Sequence, residues 1–551
     1  MELIIFSYNL QRRRILPYRC KIFHGGTILT LNEREPIVKA LGIIGEKIAL
    51  TGNLDTIEKV FIKDYELIDL KGHTLLPGFI DSHLHPIIFT YYKLSPDLSE
   101  ISSLTELKSF LKDETKDKKR DELLICFNLK EENFNIPELP TRWDLDDACP
   151  DIPLFVMRYD SHIGIANSKA LELANINETT PVIEGGEIRK EGGKVNGIIS
   201  EKALDLILSK MSFPDVDKLN EAAIKAFNEL AQKGITSIHG ILSAGTGSEF
   251  GSVGAVEIPL RKSFHNYILQ NWYALINIEK PSKLHRLKKP PLDDGKRDGK
   301  FKVGCLKLYL DGTFGAKTAC MFKPFSDAPD KVGYCVVGEE QIYEKMKEAH
   351  NQGFQIGIHA IGDKGNRIVM NLYKRLLNEF PRENHRHRIE HASMLMDDVL
   401  KDMAEYNIIA SCQPPFINSE YKWLEKRLGM ERCKYTYPMK SIIDKGIILA
   451  SGSDCPIEDP NPILGLHALV TRNGFVSEQC ISIEDAIKSY TINAAYAAFE
   501  EDIKGTLEPG KLADMVILDK NPLEVAPHEI KNLEVLETII RGKSVYKKEA
   551  K

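Results

Sequence analysis

Six polar side chains, each at or near the end of a short apolar run, are the residues of this chain best placed to do chemistry. They are His83 and His85 in LLPGFIDSHLHP, Lys307 in VGCLKLYLDG, His359 in FQIGIHAIGD, His391 in HRIEHA and Asp454 in IILASGSDCP. Imidazole nitrogens suit zinc and related divalent metals. In a parallel (β/α)8 barrel the C-terminal strand ends open on one face, where active sites form. Residues spread from position 83 to 454 could therefore gather around one metal centre.

His83 and His85 are two apart, so on a strand both point to one side, together with Asp81, and Pro86 ends the run. His359 and His391, taken singly, read as satisfied core histidines; as successive strand ends they would hold a second metal. Asp454 follows Ser451, Gly452 and Ser453, small residues that let the backbone come close to a metal. Lys307 has two readings. Its stem lies on the barrel with the amine in solvent, or it points inward with Val303 and Cys305, where a bare ammonium is poorly solvated. Burial near cations favours the neutral amine, which can add carbon dioxide to give a carbamate that bridges two metals. Arg388 and Glu390 have parity opposite to His391, which predicts a buried pair behind the barrel wall. Gln413, in SCQPPF, either faces substrate or caps a turn.

The chemistry such a centre supports is metal-assisted hydrolysis. Zinc lowers the pKa of a bound water from about 15.7 to about 7, and the resulting nucleophile attacks a carbonyl carbon. Asp454 would take the proton and pass it to a leaving nitrogen. His391 or His359 could instead help to stabilise the oxyanion.

The elements that must position these groups follow from the pattern. Eight strands are predicted at 75–82, 234–239, 271–278, 303–310, 354–359, 387–391, 408–413 and 447–454, several separated by amphipathic helical stretches, as in a parallel barrel. Residues 20–74 and 501–551 are rich in short strands and turn signals. The two ends are predicted to join in a small β-sandwich beside a barrel over 75–500. Residues 86–233 are too long and too structured for a loop; they read as an inserted α+β subdomain over the barrel mouth. The fold class is thus an α/β (β/α)8 TIM barrel with those two additions. Residues 1–19 read as an irregular N-terminal extension, and the charged run at 111–122 as a solvated helix end.

Composition narrows the function. The chain has 551 residues, 73 Lys plus Arg against 79 Asp plus Glu, and a formal net charge of −6, which gives no reason to propose nucleic acid as a ligand. No apolar run reaches the ~20 residues that span a bilayer, and the N-terminal order of apolar then basic residues is the reverse of a secretory signal. A cytoplasmic protein is expected. Ten cysteines lie singly, with no Cys-x-x-Cys pair, and read as core fillers.

The motifs PGFIDSHLHP, KLYLDGTFGAKTA, GIHAIGD, HRIEHA, SGSDCP with NPILG, and GTLEPGKLADMVILD occur in the order found in the amidohydrolase superfamily. They resemble most the branch that includes N-substituted formamide deformylase, amidohydrolase family 3. The resemblance runs from about Cys20 to Tyr546. It implies hydrolysis of a carbon–nitrogen bond other than a peptide bond, and a homodimer by family habit. It also implies zinc, one ion or two, held by His83, His85, carboxylated Lys307, His359, His391 and Asp454, with a small-molecule substrate. The segment YDSHIGIANSKALELA resembles an element of the substrate pocket, which carries His162 and Asn167 over as substrate-binding, beside Asp311 and Gln413. The chain departs from the branch at Gly240, where an Asp is usual, and at Ile165 or Ala166, where an aromatic is usual. The alternatives are hydrolysis of another carbonyl or phosphoryl ester or a lactone on the same centre, or a catalytically silent binding or regulatory protein.

Overall fold

The computed structural model describes residues 20–549 apart from 62–64, 117, 119–121, 184, 212–214, 246–250, 290–291, 294 and 297–298. The N-terminal extension at 1–19 and part of the charged run at 111–122 lie outside the described residues.

Eight parallel strands form the barrel: β1 (Phe79–Leu84), β2 (Ile235–Ala244), β3 (Asn271–Ile278), β4 (Phe301–Tyr309), β5 (Gln355–Ala360), β6 (Arg388–His391), β7 (Ile409–Cys412) and β8 (Leu449–Ser451). They pair in chain order. Apart from a few positions in β2 and β4 all their residues are buried. That is why they read as near-continuous apolar runs: helices cover the outer face and side chains fill the inner one. The helix Val216–Gln232 shows how the cover is made. Asp215 caps it by accepting from the Asp217 amide, and Leu219, Ala223, Phe227 and Leu230 bury one stripe against β2 and Trp272.

The seam between β8 and β1 is not an ordinary ladder. The Asp454 amide donates to the His83 carbonyl at 2.7 Å, and the His85 amide donates to the Cys455 carbonyl at 2.7 Å. Between them the Asp81 carboxylate accepts from Ser453 N at 3.1 Å and Ser453 Oγ at 2.6 Å. A Cβ on Gly452 would lie 2.5 Å from His83 N and 2.7 Å from Asp81 Oδ1, so only glycine lets the strands close here.

Strands from both chain ends share one curled eight-stranded sheet, five before the barrel (from Cys20–Leu29 to Thr74–Pro77) and three after it (Met515–Leu518, Val535–Ile540, Lys543–Lys547). Its core gathers Phe23, Leu41, Leu75, Met515 and Ile539. Thr74–Pro77 runs antiparallel to Met515–Leu518, so the change of sheet falls at Gly78 and not at 75. The sheet is tied to the start of β3, where Asn271 bonds Asp514 at 2.8 Å and Arg541 at 2.9 Å. It therefore sits at the barrel end away from the strand tips.

The insertion carries its own five-stranded sheet, in the order Gly186–Glu191, Lys194–Glu201, Ile163–Ala166, Leu154–Arg158, Leu124–Leu129. It is narrower than 86–233, because Pro86–Tyr92 and Val216–Gln232 pack into the barrel's own hydrophobic cluster. Gly240 also has a packing reason: a Cβ there would meet Trp272 Nε1 at 2.4 Å and Pro86 Cγ at 2.7 Å.

Candidate metal centre

The strand tips bring the chemistry-bearing residues together. His83 Nε2 lies 3.4 Å and His85 Nε2 3.3 Å from Asp454 Oδ1. Among the described residues, His83, His391 and Asp454 offer ligand atoms within 4.8 Å of one another, all buried. The His391 ring is 4.8 Å from that of His83 and 4.3 Å from that of His359, centroid to centroid. Lys307 is fully buried. Its Nζ lies 4.4 Å over the Tyr309 ring, and its charge acts on His83, His85, His359 and His391. The reading that put its amine in solvent is thereby corrected: β4 turns position 307 into the barrel, where no route to water is left.

Two of these residues depend on unusual backbone. His391 has φ 70° and Asp454 has φ 61°, in the left-handed region that L-residues with a Cβ rarely adopt. The twist at His391 overturns the simple alternation of sides along β6. Arg388 and Glu390 are not behind the wall but inside the barrel, beneath the centre. Arg388 Nη2 donates to Ser82 O and Ser411 Oγ, each at 2.6 Å, and Nη1 meets His239 Nδ1 at 3.2 Å. Arg388 Nε is 2.5 Å from Glu390 Oε1. His83 Nδ1 in turn donates to Glu390 Oε2 at 2.5 Å. That bond fixes the tautomer and leaves the His83 Nε2 lone pair facing Asp454. Gly357 makes room, since a Cβ there would sit 2.5 Å from Glu390 Oε1.

Electrostatics agree with a ligand role. Burial, then the neighbouring His391 and Lys307, hold His359 well below the usual imidazole range, and burial does the same for His391. Both are neutral donors. Burial pushes Asp454 up, but His83 and His85 outweigh it and hold the carboxyl well down. The His391 Nδ1 atom is buried without a hydrogen-bond partner. Burial lowers His83 too, but Glu390 and Asp454 outweigh it and raise that ring; the neutral His359 and His391, an ionised carboxylate and an orphaned ring nitrogen fit a divalent cation.

The remaining expected site residues divide. His162 lines the cavity above the centre, 5.8 Å from His359 ring to ring, with its Nδ1 2.9 Å from Glu201 Oε2. Burial lowers its pKa, but Glu201 more than reverses this, to about 9. Asp311 also lines the cavity, yet its oxygens accept from Ile361 N at 3.0 Å and from Cys320 N and Gly362 N, each at 2.9 Å. It clasps the loop after β5, and burial lifts its carboxyl to about 7. Asn167 does not reach the cavity. Its Oδ1 accepts from Leu154 N at 3.0 Å and Ala170 N at 2.9 Å, and its Nδ2 donates to Cys149 O at 2.9 Å and Ile152 O at 2.8 Å. The substrate-binding expectation for Asn167 is corrected to a scaffold role, because its whole amide is used within the insertion. Gln413 is fully buried, donates to Ser411 O at 3.3 Å, keeps its Oε1 without a hydrogen-bond partner and is not among the residues around the cavity, so the expectation that it faces substrate is corrected on position alone.

Two functional groups escaped the sequence reading. Glu390 orients His83, and Asp81 locks the seam that carries Asp454. Each sits within two residues of a strand-tip histidine, Asp81 on the same side as His83 and Glu390 beside His391, and that placement was the signal the sequence offered.

A parallel eight-stranded barrel with a His/Asp cluster at its C-terminal rim defines a metal-dependent barrel hydrolase. The profile described as the amidohydrolase family matches residues 66–546, and the chain belongs to that family. It is 30% identical over 548 residues to the putative amidohydrolase YtcJ of Bacillus subtilis, covering 96% of this chain and 99% of that protein. It is 23% identical to the N-substituted formamide deformylase of Arthrobacter pascens, covering 94% and 96%. An uncharacterized metal-dependent hydrolase from Pyrococcus horikoshii OT3 superposes with a TM-score of 0.72 at 29% identity, covering 92% of this chain and 99% of that one. No helix among the described residues is long and apolar enough to cross a membrane.

Proposed function

We propose that this protein hydrolyses a non-peptide carbon–nitrogen bond of amide type in a small molecule. The observation that carries the reading is the convergence of His83, His391 and Asp454 within 4.8 Å, with Glu390 fixing the His83 ring. The family membership supports it, as does similarity to a protein named N-substituted formamide deformylase.

His83, His85, His359, His391 and Asp454 would hold zinc, one ion or two, together with Lys307 once carbon dioxide has added to its neutral amine. Bound there, the metal would supply an activated water near neutral pH and a Lewis acid for the substrate carbonyl. Asp454, kept ionised by His83 and His85, takes the proton from the attacking water and gives it to the leaving nitrogen. Glu390 and Arg388 keep His83 in one orientation throughout. His162, from the insertion, faces His359 across the cavity and is placed to orient the acyl group.

The test is metal analysis of purified protein, with amine release from a panel of N-substituted formamides. Stoichiometric zinc with release of amine supports the reading; an empty site and no turnover would leave a binding or regulatory protein. Lys307→Ala should abolish turnover, with partial rescue by short carboxylic acids, and a fully active Lys307→Ala protein would contradict the carbamate.

A further inference from the structure

The cavity above the metal centre, about 150 Å3, has a wall that the reaction does not use. Glu201 ends the strand Lys194–Glu201 with φ 53° and ψ −133°, a conformation costly for a residue with a Cβ. Its carboxylate is 6% exposed; Oε2 meets His162, while Oε1 is buried without a hydrogen-bond partner. Asp205 follows within the next turn and lines the same cavity, and its Oδ1 is likewise buried without a partner. The third insertion carboxylate, Asp160, is already engaged by Arg158 at 2.5 Å and Thr313 at 2.9 Å.

A buried acceptor with no donor costs about 1–3 kcal/mol. Two in one cavity leave room for a donor that is not part of the protein. Among the described residues around the cavity, Lys202 is the only lysine or arginine, and its Nζ donates to Val336 O at 2.6 Å. Glu201 keeps polar company, with His162 and Asp311 beside it, while much of the rest of the cavity lining is apolar or aromatic. Leu204, Leu208, Tyr92 and Phe127 line the same cavity, and the two rings stack with centroids 3.8 Å apart. An aromatic face beside a carboxylate favours a cation that also donates hydrogen bonds.

We infer that Glu201 and Asp205 form a subsite for a positively charged, N–H-bearing end of the substrate, an alkylammonium carried on an apolar stem whose other end reaches the metal centre. The inference rests on the proposed amide hydrolysis for the stem's reacting end, but the subsite is testable by binding alone. An anionic end would face two carboxylates, and among the described residues around the cavity the cations are already engaged, Lys202 by Val336 O and His162 by Glu201. A neutral alkyl end would fill the apolar part and leave both oxygens unsatisfied.

Calorimetric titration of the metal-loaded protein with hexylamine and 1,6-diaminohexane separates these cases, since both carry one amine for the metal end. The diamine should bind about tenfold more tightly, a gain in line with a charge-assisted hydrogen bond. Asp205→Asn and Glu201→Gln should each shrink that advantage several-fold, with Asp205→Ala as a further variant should one of these fail to fold. Equal affinities in the wild type, or an advantage unchanged in all folded variants, would overturn the subsite. Turnover of N-hexylformamide and N-(6-aminohexyl)formamide then tells the two readings apart. A diamine preference without turnover of either compound keeps the subsite and removes the reaction; equal turnover of both without a diamine preference does the opposite.

Discussion

The floor and the wall of the cavity are held in different ways. Beneath the floor, Arg388 and Glu390 reach β1, β2 and β7 from β6, so four strands share one buried network around His83. The wall is local by contrast. Glu201 is anchored by His162, the residue before the neighbouring strand Ile163–Ala166, and the charge of Lys202 acts on Asp205. The floor is fixed in position by the tertiary ladder, as proton transfer and metal ligation require. The wall keeps unsatisfied acceptors and apolar surface, which is how a site selects what it admits. Change on the floor should therefore act on chemistry or metal affinity, and change on the wall on substrate preference or on the insertion alone.

The largest expected break of this contrast is Asp454→Asn. It removes the proton carrier and a ligand together, and kcat should fall by about 10³-fold or more. Turnover at saturating zinc checks it, and a variant within tenfold of wild type would mean that Asp454 carries no proton. Next comes Glu390→Gln, which leaves the ligands in place but weakens the orientation of His83. Zinc affinity, measured by chelator competition, should drop about 10–100-fold. A purely structural role would lower the melting temperature and leave zinc affinity alone.

On the insertion side, Asn167→Ala strips the hydrogen bonds from four backbone groups and should destabilise the protein by about 2–4 kcal/mol. Limited proteolysis should place the new cuts within the insertion, and zinc affinity should stay at the wild-type level. The smallest effect concerns Glu420, which lines a smaller chamber beside the centre and accepts from the Tyr437 hydroxyl. Burial lifts its carboxyl to about 8. The folded state thus binds a proton more tightly than the unfolded chain does, between about pH 4.5 and pH 8. Stability from this group is present at low pH and is lost as pH rises toward 8, by at most about 1.4 kcal/mol per pH unit. Glu420→Gln should flatten the pH dependence of urea unfolding across that window, and an identical slope in both proteins would rule Glu420 out as its source.

Much of the barrel was legible before any coordinates. β3 runs over Asn271–Ile278, the span its apolar pattern defined, and Lys307 faces inward as alternation along β4 required. The two-residue period failed at β6, where φ 70° at His391 puts neighbouring residues on one side of the wall and gives Glu390 a place under the metal centre. It also misplaced the start of β1, because LLPGFIDS has a single apolar texture while the chain changes sheets at Gly78.

The sequence by itself determined the barrel, the family and which histidines and aspartate stand at the strand tips, because burial on both strand faces and the chemistry of polar side chains leave their mark in residue type and order. Only the tertiary structure decided which carboxylates serve the centre and which serve the frame. Asp81, Asp311, Glu390 and Glu201 differ in what meets them across distant strands, and a side chain's partners in space are not written in its neighbours along the chain.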